Sequence, residues 1–362
     1  MYHCESCGRE YDADGPWRCD CGHALDFAER PLPERDDPPE PDTFDRDRGL
    51  WSFSDFLPVE RHVSLGEGWT PLVEARAFDA QIKLDSVFPT GSFKDRGATV
   101  PLSQAAALGV DRVVEDSSGN AGLAIATYAA RAGIDAEIYV PAGAKETKLR
   151  KIERTGADVV RIEGSRDDVT VACHESLSDG AWYASHAWQP AFFAGTMTWA
   201  LEVAAQRDWA VPDAVVVPVG HGTLLRGAYL GFSALRAAGW TDDVPRLLGA
   251  QASGYAPIAA GKAAVGESAA EPGATTNDLA DGIQIGAPAR EKQLLDAIEM
   301  SGGDAIAVDA AATERAHERL SRAGFQVEPT CATAIAALAR YREQGTVTPA
   351  DDVVVVLSGQ NG

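Results

Sequence analysis

Runs typical of β-strands alternate with runs typical of α-helices along most of this chain of 362 residues. The alternation predicts parallel sheets whose faces are covered by helices, and therefore an α/β fold. With 45% hydrophobic residues, the chain can bury the cores of two such domains and carry a small extra module. The main strand-like runs are 112–115, 137–140, 159–162, 214–219, 247–251 and 353–357.

One lysine, Lys94, stands between a glycine turn and a helix-forming run in the segment PTGSFKDRG at 89–97. A lysine amine in desolvated or electropositive surroundings has a lowered pKa and can form a Schiff base with an aldehyde. Arg96 could supply part of that positive field, and Gly91 permits backbone angles closed to other residues. Taken alone, such a segment is more often a surface lysine in a capped turn.

Two more segments place small residues where a strand passes into a helix, DSSGNAG at 116–122 and VPVGHGTLLRG at 217–227. The carboxyl ends of strands in open α/β sheets bind ligands, and free N–H groups at a helix start attract anions. The second segment lacks the Gly-Lys-Ser/Thr of a P-loop and is not a dinucleotide fingerprint. It therefore predicts an anion site, with His221 more plausible as a neighbour of the anion than as a catalytic base.

The segment at 89–97 resembles the lysine motif of the threonine synthase family, which belongs to the fold type II pyridoxal-phosphate enzymes. SLGEGWTPL at 64–72 is similar to a loop of that family, and the segments at 116–122, 217–227 and 358–362 follow in the family's order. The resemblance implies two doubly wound α/β domains with pyridoxal 5'-phosphate in the cleft between them. It also implies the reaction of O-phospho-L-homoserine with water to give L-threonine and phosphate, a step of amino-acid biosynthesis.

The resemblance assigns roles to individual residues. Lys94 would be the catalytic residue and the covalent attachment point of the cofactor. The other cofactor contacts it implies are Asn120 at the phenolate oxygen, Ser358 at the pyridine nitrogen, and Gly220, His221, Gly222, Thr223 and Leu224 around the phosphate. The implied substrate contacts are Lys83, Ser117, Ser118 and Gly119.

The chain departs from the family pattern where the substrate's own phosphate would bind. Phe192 stands where an arginine is expected, and a phenyl ring offers no hydrogen bond to phosphate. Ser358, where threonine synthases commonly carry threonine, is more typical of sulfhydrylases. The alternative is therefore a serine/threonine dehydratase or a cysteine-synthase-like β-replacement enzyme. A binding protein with a degenerate enzyme body is the remaining hypothesis, against which the intact motif residues speak.

Four of the six cysteines, Cys4, Cys7, Cys19 and Cys21, lie in two close pairs near the N-terminus. This spacing is typical of a zinc ribbon that binds structural Zn²⁺, although the second pair is tighter than the usual Cys-x-x-Cys. Disulfides are the alternative, and His3 or His23 could substitute as ligands. We interpret Cys173 and Cys331 as ordinary buried thiols.

We expect a zinc ribbon at 1–28 and an extended linker, rich in proline and charge, at 29–50. A large cofactor-binding domain is expected at 51–97 and 208–362, with a small α/β domain at 98–207. The net charge of −22 argues against nucleic acid and suits a salt-rich, acidic proteome. Without an export signal or a membrane-spanning run we expect a cytoplasmic homodimer that acts on a small amino acid.

Overall fold

The computed structural model describes residues 1–35, 37–265 and 276–360. The chain forms two compact units. Unit 1 comprises Met1–Pro31, Asp45–Gly68 and Lys94–Thr196, and unit 2 comprises Leu32–Phe44, Trp69–Phe93 and Met197–Gly362. The predicted domain boundaries stay a prediction. Asp36 of the predicted linker and Asn361 and Gly362 of the terminal motif lie outside the described residues.

The described residues contain thirteen strands, which pair into three sheets. In chain order the strands are β1 (Tyr2–His3), β2 (Glu10–Tyr11), β3 (Asp26–Phe27), β4 (Leu72–Ala75), β5 (Ala80–Lys83), β6 (Arg112–Glu115), β7 (Asp135–Pro141), β8 (Asp158–Ile162), β9 (Trp182–Tyr183), β10 (Ala214–Pro218), β11 (Arg246–Ala252), β12 (Asp304–Val308) and β13 (Val353–Val356).

Helices follow most of these strands. In chain order they are α1 (Lys94–Ala107), α2 (Asn120–Ala132), α3 (Glu146–Glu153), α4 (Arg166–Glu175), α5 (Pro190–Ala205), α6 (Thr223–Ala237), α7 (Pro257–Val265), α8 (Glu291–Met300), α9 (Ala310–Arg322) and α10 (Pro329–Glu343). Short 3-10 segments lie at Pro41–Thr43, Arg46–Phe56, Ser176–Asp179 and Asp281–Ile283.

The predicted alternation of strands and helices is confirmed, with two corrections. β4 pairs antiparallel with β5, so the larger sheet is not wholly parallel. The linker predicted as extended contains 3-10 turns at Pro41–Thr43 and from Arg46 onward. Pro41 supplies the fixed φ of a helical first position, and the Asp45 side chain accepts a hydrogen bond from the Asp47 amide, which turns the chain.

Unit 1 contains an antiparallel sheet in the order β2-β1-β3 and a parallel sheet in the order β8-β7-β6-β9. The parallel sheet packs against apolar faces of α2 and α3, with fully buried side chains such as Ile125, Ile138 and Leu149. Because β6 is an inner strand, the loop that follows Glu115 leaves the middle of the sheet at its carboxyl edge. That loop contains the predicted substrate-binding residues.

Unit 2 is built on a six-stranded sheet in the order β12-β11-β10-β13-β5-β4. β10, β11, β12, β13 and β5 run parallel, and α10 covers one face through a core that includes Ile335, Leu338 and Tyr341. The carboxyl ends of β10 and β13 therefore lie side by side. They lead into the predicted phosphate loop and into Ser358.

Within the described part of the chain, no helix has the length and apolar character needed to cross a membrane.

Candidate active site and metal-ligating cysteines

Lys94 is the first residue of α1, and its side chain is half-buried. The turn before it has Gly91 in the left-handed region, with φ of 83°. The Phe93 amide donates to the Ser358 carbonyl at 2.9 Å, and the Gln360 amide donates to the Gly91 carbonyl at 2.9 Å. The turn that leads into Lys94 is thus fixed against the backbone segment that contains Ser358.

Ser358 is buried two residues after the end of β13, and Cys331 in the first turn of α10 positions it. The Cys331 sulfur accepts from the amides of Ser358 and Gly359 at 3.1 and 3.3 Å, and it lies 3.5 Å from Ser358 Oγ. Burial raises the pKa of the Cys331 thiol to about 12, so the thiol stays protonated and donates to the Gly359 carbonyl. Cys331, which the sequence predicts to be an ordinary buried thiol, therefore holds the backbone of Ser358 and Gly359 in place.

The predicted phosphate loop follows β10 and ends in α6. Gly222 is the N-cap of α6 with φ of 76°, and no side chain caps the helix start. The first amides of such a helix have no acceptor within the helix, so they are available to an anion. The loop residues Gly220, Gly222, Thr223 and Leu224 are buried and His221 is half-buried. This donor set fits the phosphate of pyridoxal phosphate.

The predicted substrate loop, Ser117–Asn120, connects β6 to α2, and its four residues are half-buried. Gly119 is the N-cap of α2 without a side-chain cap, and its amide donates to Ser117 Oγ at 3.3 Å. A Cβ at Gly122 would lie 1.9 Å from the Ser117 carbonyl oxygen, so only glycine permits this tight approach. The loop offers hydroxyls and amide groups, which suit a carboxylate.

Asp116, directly before this loop, is buried and held by three donors. Tyr183 Oη donates to Asp116 Oδ1 at 2.8 Å, and Thr170 Oγ1 and Arg166 Nη2 contact Oδ2 at 2.7 and 3.0 Å. Burial alone would raise the pKa of Asp116, but the charge of Arg166 and these hydrogen bonds outweigh it and lower the pKa. Asp116 is therefore an ionised anchor for the start of the loop.

Glu115 and His186 form a buried pair that no motif in the sequence indicates. Glu115 Oε1 lies 2.6 Å from His186 Nδ1, and the His186 amide donates to Glu115 Oε2 at 3.3 Å. Burial, reinforced by Asp116, raises the pKa of Glu115 well above its usual value. Burial and then the charge of Lys94 lower the pKa of His186 to about 3. The only available sequence signal was two consecutive acidic residues at the end of an apolar strand.

Phe192, which stands at the expected arginine position, is fully buried in unit 1. A Cβ added to Gly97 would lie 2.1 Å from Phe192 Cε1, so the ring packs directly on the α1 backbone. Its ring also contacts that of His186 edge to face, with centroids 6.1 Å apart. Phe192 is a packing residue here and supplies no phosphate ligand.

Lys83, predicted to contact substrate, is fully buried in unit 2. Its ammonium group donates to the Thr70 carbonyl at 2.7 Å, to Glu202 Oε2 at 2.9 Å and to Gln206 Oε1 at 2.7 Å. Three acceptors use all three N–H donors of an ammonium group. This geometry favours a structural role, and we do not include Lys83 in the proposed site.

The four N-terminal cysteines converge in unit 1. Their sulfurs all lie within 4.8 Å of one another, with Cys4 and Cys21 at 3.6 Å and Cys7 and Cys19 at 3.4 Å. Disulfide sulfurs are about 2 Å apart, whereas thiolates about 2.3 Å from one tetrahedral Zn²⁺ are roughly 3.8 Å apart. The cluster is therefore a set of free thiols with the spacing of a metal site.

The chain is similar to known proteins over nearly its whole length. A protein-family model described as pyridoxal-phosphate dependent enzyme matches residues 63–359. A threonine synthase from Methanocaldococcus jannaschii is 32% identical over 99% of this chain and 92% of that protein. One from Methanosarcina acetivorans is 33% identical over 99% of this chain and 91% of that protein.

A solved structure, of maize serine racemase, has a similar fold. It matches with a TM-score of 0.69 and 24% identity, over 81% of this chain and 88% of that one. At this identity the likeness concerns the fold alone.

Proposed function

Because the chain belongs to the threonine synthase family of pyridoxal-phosphate dependent enzymes, we propose that it converts O-phospho-L-homoserine and water to L-threonine and phosphate. The observation that carries the proposal is 32% identity to a threonine synthase over 99% of the chain, which includes the N-terminal cysteine module. The same membership confirms the predicted fold type II architecture and the prediction of a pyridoxal-phosphate dependent lyase.

We assign the cofactor to the predicted residues. The α6 start, with Gly220, His221, Gly222, Thr223 and Leu224, would bind its phosphate, because uncapped helix amides complement a dianion. Ser358 would face the pyridine nitrogen, where a neutral hydroxyl leaves the ring without a fixed counter-charge. Asn120 would contact the phenolate oxygen, and Lys94 would hold the aldehyde carbon through Nζ. When bound, pyridoxal phosphate supplies the electron sink that makes the Cα and Cβ protons of an amino acid removable.

The chain's own groups would bind the substrate and move its protons. Ser117, Ser118 and Gly119 would bind the α-carboxylate, with Asp116 fixing the start of their loop. Lys94 Nζ would carry protons at Cα and Cβ, the role of a positioned general acid and base. Overall, the Cγ–O bond to phosphate and one Cβ–H bond break, while Cγ gains a proton and Cβ gains the hydroxyl of water.

A second candidate is a dehydratase or β-replacement enzyme that acts on serine or threonine. The observation that favours it is Phe192, an apolar and fully buried residue at the position where the family pattern has a phosphate-binding arginine. An amino acid without a distal phosphate needs no guanidinium there.

The two candidates are separated by their products. Purified protein is incubated in turn with O-phospho-L-homoserine, L-threonine, L-serine and O-phospho-L-serine, and phosphate, threonine and keto acid are measured. Phosphate together with threonine from the first substrate supports the synthase, whereas a keto acid from threonine or serine without synthase activity supports the lyase.

Lys94→Ala tests the cofactor assignment. We expect the visible absorbance of the bound cofactor to disappear and turnover to fall by about a thousandfold or more, because both the covalent link and the proton carrier are lost. Arg18→Ala, at an exposed residue of the N-terminal module, is the control and should keep both. Full turnover in Lys94→Ala would refute the assignment.

We also propose that Cys4, Cys7, Cys19 and Cys21 bind one structural Zn²⁺ per chain. Metal analysis should find one zinc in the wild type and in Cys173→Ala, whose cysteine lies outside the cluster, and none in Cys4→Ala. A zinc-free wild type, or zinc retained in Cys4→Ala, would contradict this.

The active form we propose is a homodimer, which light scattering can check.

A further inference from the structure

The N-terminal module, residues Tyr2–Phe27, packs on two parts of unit 1: the helix α1 and an aromatic cluster that includes Tyr183. The first contact is with α1, the helix that begins at Lys94. Gln104 Nε2 donates to Tyr2 Oη at 2.5 Å and to the Ala13 carbonyl at 3.2 Å. Tyr2 is buried, so this contact lies within the packed surface between the module and α1.

The second contact is made by Trp17, which inserts among three aromatic side chains. Its ring lies 4.5 Å from His174 in α4, 5.2 Å from Tyr183 in β9 and 4.9 Å from Trp188, with the last two contacts edge to face. Such pairs are specific in geometry and stabilising beyond the area they bury. Trp17 also packs against the small apolar cluster around Val169.

Tyr183 carries this contact to the substrate loop. The Tyr183 ring packs edge to face against the Trp17 ring. The Tyr183 hydroxyl is buried and donates a hydrogen bond to Asp116 Oδ1 at 2.8 Å. Asp116 is the residue before Ser117, where the predicted substrate loop begins. A continuous set of packed and hydrogen-bonded groups therefore runs from the cysteine module to that loop.

We propose that the N-terminal module is a brace for the substrate loop, in which Trp17 fixes Tyr183, and Tyr183 holds Asp116 and so the conformation of Ser117–Asn120. This inference rests on the proposed role of that loop. Trp17 and Tyr183 are positioning residues that touch neither substrate nor cofactor. The module thus has a purpose in substrate binding, separate from any chemistry of the metal.

Three variants of the full-length protein test the brace. Tyr183→Phe keeps the ring against Trp17 and removes only the hydroxyl, Trp17→Ala removes the aromatic contact, and Trp17→Phe restores part of it. Arg18→Ala is the matched control: it removes the guanidinium that lies 4.6 Å from the Trp17 ring centroid and leaves the contacts of that ring with His174, Tyr183 and Trp188 in place. Hydrogen exchange of backbone amides 116–122 is the primary measurement, and the KM for O-phospho-L-homoserine is the second.

We expect about tenfold faster exchange at 116–122 and an about tenfold higher KM in Tyr183→Phe and Trp17→Ala, the effect of losing one hydrogen bond to a charged group. The kcat should stay within about twofold of wild type, Trp17→Phe should recover most of the loss, and Arg18→Ala should match wild type. Wild-type exchange in Tyr183→Phe, or faster exchange confined to the module in Trp17→Ala, would overturn the brace.

The exchange measurement separates this inference from the proposed function. If wild-type protein does not turn over O-phospho-L-homoserine, the proposed reaction fails, but loop exchange in the variants still decides the brace. If Trp17→Ala does not fold, Tyr183→Phe tests the hydrogen bond to Asp116, and Trp17→Phe, which should show a smaller increase of exchange at 116–122, tests the contact with the module.

Discussion

Glu115, the last residue of β6, and Asp116, the residue after it, have pKa values shifted in opposite directions because their surroundings differ. Asp116 has a guanidinium and two hydroxyls as donors, so its pKa is lowered and it stays ionised. Glu115 is fully buried and lies next to the charge of Asp116, so its pKa is raised and its protonated form is favoured. A protonated Glu115 adds no negative charge near Lys94, which suits an amine that must lose its own proton.

Glu115→Gln tests this assignment through the pH dependence of stability. A carboxyl whose folded pKa is raised contributes stability that is complete below its unfolded pKa of about 4.5 and is lost as pH rises. The variant, which mimics the protonated form, should therefore gain stability relative to wild type by up to about 1.4 kcal/mol per pH unit as pH rises above about 5. Urea unfolding at several pH values measures the difference.

Asp116→Asn is the matched control for that experiment. Its folded pKa is lowered, so the stability from its ionised form is present above the unfolded value of 3.8 and lost only on acidification. Asp116→Asn should thus be less stable than wild type by a nearly constant amount over the same pH range. A difference for Glu115→Gln that did not grow with pH would show that Glu115 is ionised in the folded protein.

At the level of elements, α6 depends on a glycine at its start. Gly222 has φ of 76°, and a Cβ there would lie 2.3 Å from Leu294 Cδ2. Gly239, just beyond the other end of the same helix, has φ of 74° but no atom within 4 Å of an added Cβ. The two glycines share one backbone conformation and differ only in the space around them.

Gly222→Ala should therefore destabilise the protein more than Gly239→Ala. The left-handed conformation costs about 1–2 kcal/mol in either variant, and the overlap with Leu294 adds about 1–3 kcal/mol in the first. Gly222→Ala should also weaken cofactor retention, measured by visible absorbance after dialysis, because its helix start shifts. Equal losses of stability in the two variants would contradict a packing role for this loop.

Local sequence was sufficient for elements whose ends are marked by small residues. The loops Ser117–Asn120 and Gly220–Leu224 join a strand to a helix as predicted, because glycines and short polar side chains determine such junctions locally. Contacts between residues far apart in the sequence have no such local signal. Glu115 meets His186 across 71 positions, and Cys331 meets Ser358 across 27, so only the folded sheet and helices bring them together.

Lys83 illustrates a different limit of the sequence. A motif can indicate that a lysine matters without showing where its ammonium group points, and here all three N–H donors have acceptors in unit 2. Phe192 shows the same limit from the other side. The sequence shows that it departs from the family motif but does not show that its ring packs against Gly97. Side-chain direction depends on tertiary packing, which neither pattern contains.

For the whole molecule, the net charge of −22 is the property that most affects how stability depends on salt. Like charges repel across the folded surface, and the repulsion falls when chain unfolding spreads them apart, so low ionic strength disfavours the compact state. Salt shortens the Debye length from about 30 Å at 0.01 M to about 3 Å at 1 M, which removes most interactions between exposed charges. Exposed ion pairs such as Arg9–Asp20 are screened as well, but the chain has 54 acidic residues against 32 lysines and arginines, so repulsion is the larger effect.

The melting temperature should therefore rise steadily as potassium chloride increases from about 0.01 M to about 1 M, with most of the rise complete once the Debye length is below the spacing of surface charges. Sucrose at equal osmolality is the control, because it stabilises compact states by exclusion without screening charge. If sucrose raised the melting temperature as much as salt does, the effect of salt would be due to exclusion of the solute from the protein surface and not to charge screening. A melting temperature that stayed level or fell with salt would mean that the paired charges, rather than the excess acids, govern the stability of this protein.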